Sequence, residues 1–116
     1  MPTRELQGDQ IQTYFDNFTK RFLTDRSPES IDVEVLGPEF GDQRAVEGAR
    51  LMGISYDPRE HTLDIFHEMG DHRMSGAQEV WVREDDDGFL NSIEVVLPEG
   101  DREIINLQRM NSRRRH

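Results

Sequence analysis

Apolar residues recur at two periods along this chain, and the period changes once. Ile11, Tyr14, Phe15, Phe18 and Phe22 fall at i, i+3, i+4, i+7 and i+11, the single stripe by which an α-helix buries one side. Asp9 is placed to cap this helix, and Gln12, three residues on, completes a capping-box pattern. Ser27-Pro28 predicts its end, because the residue before a proline is pushed out of the α region.

Beyond Ser30 the period falls to two, the signature of half-buried strands. Ile31, Val33 and Val35 alternate with Asp32 and Glu34 before Gly37-Pro38 and Gly41 interrupt. Gln43 to Glu47 reads as a weak strand and Arg50 to Tyr56 as a stronger one, with Met52, Ile54 and Tyr56 on one side. Asp57-Pro58-Arg59-Glu60 is a turn with proline second. Leu63, Ile65 and His67 alternate with Asp64 and Phe66, and Gly70-Asp71 marks another turn. Val80 and Val82 oppose Glu79, Trp81 and Arg83, and Asp86-Asp87-Gly88 is a hairpin signal. Ile93, Val95 and Leu97 stay in phase, Pro98 to Asp101 turns the chain, and Ile105 and Leu107 mark a closing strand.

Short gaps favour an antiparallel meander. The expected fold is α+β: one N-terminal amphipathic helix packed on a twisted antiparallel sheet of five or six strands, able to curl towards a barrel. Residues 1–108 are expected to form one domain, and the tail 109–116, charged and without apolar anchors, to be disordered.

Several strands carry apolar groups on their second face as well. Leu36, Phe66, Trp81, Val96 and Ile104 stand there among Asp64, Glu94 and Asn106. Either the helix or a curl of the sheet covers them, or part of this face is an exposed patch for a partner or ligand. In the second case Phe66, Trp81, Val96 and Ile104 are the binding candidates. Trp81 comes first, since tryptophan is enriched at binding hot spots.

Charge limits the partners. The chain of 116 residues has 24 acids against 14 Lys plus Arg, a formal net charge of −10, and Lys20 is its one lysine. All the acids lie in residues 1–108, and four of the arginines lie in the tail. Phosphate neutralisation dominates nucleic-acid binding, so nucleic acid is disfavoured for the body. Acid with almost no lysine suits either a salt-rich cytoplasm, where repulsion is screened, or GC-rich codon usage. Without cysteine there are no disulfides, thiolate nucleophiles or cysteine metal sites. Met1 to Gly8 lacks the apolar stretch of a signal peptide and no run is long enough to span a membrane, so a cytoplasmic location is expected.

Catalytic signals are sparse. No G-x-S-x-G, P-loop or G-x-G-x-x-G pattern occurs. Asp85-Asp86-Asp87-Gly88 lacks the spacing of a calcium loop. His67, Glu68, Asp71 and His72 are the candidate metal ligands, of a type that suits zinc or another divalent ion, if the two histidines converge across the Gly70 turn.

Thr3-Arg4-Glu5-Leu6, the aromatic helix with Tyr14-Phe15-Asp16 and Phe18, Val33-Glu34-Val35-Leu36-Gly37-Pro38 and Gly53-Ile54-Ser55-Tyr56-Asp57 together resemble a small bacterial family catalogued as domain of unknown function 5335. Ile11 departs from it, standing where the family often has tryptophan. The resemblance implies a small bacterial cytoplasmic domain and supplies no activity, cofactor or catalytic residue. The expectation is a non-catalytic acidic domain without a cofactor, monomeric or weakly dimeric, that binds a protein or small ligand. The alternative is a small metal-dependent enzyme using His67 and His72.

Overall fold

The computed structural model describes residues 3–25, 29–37, 41–86 and 90–109. Among them are β1 (Thr3–Leu6), α1 (Ile11–Asp25), β2 (Glu29–Gly37), β3 (Gly41–Asp57), β4 (Thr62–His67), β5 (Gly70–Met74), β6 (Glu79–Glu84), β7 (Leu90–Val96) and β8 (Arg102–Arg109). The expected hairpin tip at Asp87-Gly88, the helix stop at Ser27-Pro28, the side chain of Phe22 and the tail beyond Arg109 lie outside the described residues.

All eight strands join one antiparallel sheet in the order β1-β6-β7-β8-β2-β3-β4-β5, with β1 and β5 as its edges. This corrects the expected α+β fold of five or six strands. The molecule is mainly β, has a single α-helix among the described residues, and its sheet does not close into a barrel. The physical reason lies in the edges. β1 and β5 each bury one residue, Leu6 and Met74, so neither shows the alternation by which a strand is recognised in sequence.

β3 explains the rest of the difference. The two runs read as separate strands are one 17-residue strand, paired with β2 as far as Arg50 and with β4 from Leu51. Bulges hold it together. At Gly48 the backbone takes φ 66°, a left-handed conformation that glycine adopts without steric cost. The Asp32 carboxylate accepts the Gly48 N–H at 2.7 Å. A second irregularity at Met52 puts Leu51 and Ile54 both inside. Met52, expected beside Ile54, is therefore 52% exposed.

The inner face of the sheet forms the core with Ile31, Val33, Val80, Val82, Ile93, Val95 and Ile105, joined by Ile54, Leu63 and Ile65 from the other half. α1 supplies Ile11 and the fully buried Phe15, with Tyr14 and Phe18 packed at the margin. Burial of one such large apolar side chain stabilises by about 1.5–3 kcal/mol. The first helical bond runs from the Tyr14 N–H to the Gln10 carbonyl at 3.0 Å, which makes Gln10, not Asp9, the N-cap residue.

The sheet is strongly curled. β5 and β8 lie four places apart in strand order, yet His72 of β5 hydrogen-bonds Glu103 of β8. α1 lies on the concave side. Its Tyr14 hydroxyl donates to Glu84 of β6, and the Thr19 hydroxyl donates to the Ile54 carbonyl at 2.9 Å and accepts the Ile54 N–H at 3.1 Å. Thr19 thus takes the place of a neighbouring strand where β3 has left β2.

Candidate functional site

With α1 on the concave side, the convex face of β1, β6, β7, β8 and β2 stays uncovered by the helix. Strand register places its side chains in rows. One row runs Glu5, Trp81, Glu94, Ile104, Glu34 and, on β3, Arg44. The next runs Glu79, Val96, Arg102 and Leu36. Trp81, Val96, Ile104 and Leu36 are each only partly buried. Alternation dictates this arrangement: Val80, Val82, Ile93, Val95 and Ile105 point inward, so their neighbours in sequence point out.

Polar contacts set the orientation of these groups. The Trp81 indole N–H donates to Glu79 Oε1 at 2.9 Å. Arg102 donates to Glu94 at 2.5 Å, and Arg44 reaches Glu34 at 3.3 Å. That contact holds the Arg44 guanidinium pKa above its ordinary value, chiefly through the hydrogen bond to Glu34. Across the five strands the outward acids Glu5, Asp32, Glu34, Glu79 and Glu94 outnumber Arg83 and Arg102. The face is therefore a negatively charged surface with aliphatic and indole contacts set into it.

Three of the four binding candidates, Trp81, Val96 and Ile104, share this face, and Leu36 lies with them. Phe66 does not. It stands on β4 opposite Gly53, beside α1, where Asp16, Thr19, Lys20 and Met52 line a cleft of about 450 Å³ with it.

The metal candidates do not converge. Among the described residues, no group of three or more His, Asp or Glu side chains could hold a metal ion. His67 Nδ1 accepts the Met69 N–H at 3.3 Å, and Glu68 accepts the Arg50 N–H at 3.1 Å. Asp71 is exposed. His72 turns into the concave side and pairs with Glu103, whose side chain is 12% exposed.

Sequence spacing does not pair His72 with Glu103, but it carries one sign of the pair: Glu103 is in phase with Ile105 and Leu107, an acid at an inward position. A second feature also escaped. His61, at φ 51° in the turn into β4, faces the Tyr56 hydroxyl at 3.3 Å. Both border a cleft of about 660 Å³ between the start of α1 and the β5–β6 loop. Burial, then the charge of Asp57, pushes the Tyr56 phenol pKa up. No pattern of residue types announces this contact, because it depends on one turn.

Among the described residues no helix is long and apolar enough to cross a membrane. The family of unknown function DUF5335 matches residues 2–115 of the chain. A protein of Aquifex aeolicus (strain VF5), described as an uncharacterized protein, is 37% identical over 109 residues, covering 93% of this chain and 94% of that one. No solved structure matches.

Proposed function

For this chain, which belongs to the DUF5335 family, we propose a non-catalytic binding function: the convex face recognises a protein segment that offers basic and apolar side chains together. One observation carries the reading. Trp81, Ile104, Val96 and Leu36 stand half-buried on a face that the helix leaves open, interleaved with a surplus of acid. An apolar patch rimmed by charge is a surface suited to a macromolecular partner, and the sign of the rim selects a basic one.

Trp81 is the chain's single tryptophan, so its emission reports directly on this face. The probe is a synthetic peptide of alternating arginine and leucine, compared with one of alternating glutamate and leucine. The arginine peptide is expected to shift Trp81 emission saturably and to move the amide resonances of Trp81, Glu94 and Ile104. Ile104→Glu should weaken the binding by about tenfold. Equal effects of both peptides, or resonance shifts confined to other surfaces, would overturn the reading.

A further inference from the structure

The convex face is not the one surface prepared for a partner. β5, Gly70–Met74, is an edge strand that, among the described residues, pairs with β4 alone. Its backbone orientation follows from Thr19. Because Thr19 takes both the N–H and the carbonyl of Ile54, those groups face away from β4. Ile65, opposite Ile54, must then direct its own backbone groups towards β5. His72, opposite Ile65, returns them. The N–H and carbonyl groups of Asp71 and Arg73 therefore face the open edge, and no partner for them occurs among the described residues.

The order of side chains on this edge is self-complementary. A two-fold axis through His72 would set Asp71 of one copy opposite Arg73 of the other, twice. Both side chains are exposed, and both positions are the ones whose backbone groups point outward. Arg73 is held beside this edge by Asp64, 2.9 Å from its Nε. Neighbouring registers fail on charge. An axis through Asp71 opposes acid to acid, and one through Arg73 opposes arginine to arginine, and like charges directly opposite are destabilising.

We propose that β5 pairs with β5 of a second copy of this chain, antiparallel about His72, to join two sheets into one. Each Asp71–Arg73 pair would exchange two backbone hydrogen bonds and add a cross-strand ion pair. The contact is isologous, so it closes at the dimer. It is short, and the dimer is accordingly weak.

Sedimentation equilibrium at concentrations up to about 1 mM tests it. The wild-type chain should show a monomer–dimer equilibrium. Asp71→Arg and Arg73→Asp, each alone, place like charges opposite and should weaken the dimer by about tenfold or more. An equimolar mixture of the two variants should dimerise again, since each supplies the charges the other lacks. The doubly exchanged chain should do the same. A wild-type chain that stays monomeric, a dimer indifferent to either reversal, or assembly that continues past the dimer would overturn the proposal. The mixture guards against misfolding, because unfolded variants would not restore each other.

Discussion

The Tyr14 hydroxyl ties the helix to β6 through Glu84. Burial first, and then the hydrogen bond to Glu84, raises the phenol pKa above its ordinary value near 10. The native state therefore resists an ionisation that the unfolded chain accepts. The stability this contributes is complete below pH about 10 and is lost as pH rises towards the folded pKa. Tyr14→Phe is expected to cost about 1–2 kcal/mol in urea unfolding at neutral pH. It should also lessen the decline in stability above pH about 10; an unchanged alkaline decline would place its cause elsewhere, at Tyr56 for instance. The His72–Glu103 pair ties β5 to β8 in the same way. His72→Leu leaves a nearly buried carboxylate without its imidazole and should cost about 1–3 kcal/mol. His72→Leu with Glu103→Leu should cost less than the two single changes added, which a double-mutant cycle measures.

At the scale of elements, β3 decides most. Its bulge at Met52 makes a sharp contrast between neighbours. Leu51→Ala should destabilise by about 2–5 kcal/mol, as loss of a buried leucine does. Met52→Ala should cost far less, about 0.5 kcal/mol, because that residue is half-exposed at the rim of the Phe66 cleft. Comparable losses at both would mean that the strand runs without its bulge. α1 and β3 meet through Thr19. Thr19→Val keeps the shape but strands the Ile54 N–H, and about 1–3 kcal/mol should be lost. Thr19→Ser should retain most of it.

The whole molecule carries its −10 charge on a small body. Self-repulsion of this kind works against the compact state. Raising potassium chloride from 0.1 M to 1 M shortens the screening length from about 10 Å to about 3 Å. The melting temperature should rise, by about 4 °C for each kcal/mol of repulsion relieved. A melting temperature that is flat or falls with salt would show that the acids are dispersed or paired well enough not to oppose folding. The same salt should weaken the binding of the arginine peptide to the Trp81 face.

Local spacing was enough for the helix, the inward residues of β2, β4, β6, β7 and β8, and the outward set of Trp81, Val96 and Ile104. These follow from the period of a single element, which neighbouring residues impose on one another. The family, too, was legible, in the stretches around Val33–Pro38 and Gly53–Asp57. The edges came from long-range pairing, because β1 and β5 are half-solvated and gain their form from the strand beside them. Long-range pairing alone set the continuity of β3, where Gly48 acts as a bulge between the two runs. It separated Phe66 from Trp81, since which strand lies beside which is a long-range choice. It also brought His72 to Glu103, by a curl of the sheet that no local pattern of side chains encodes.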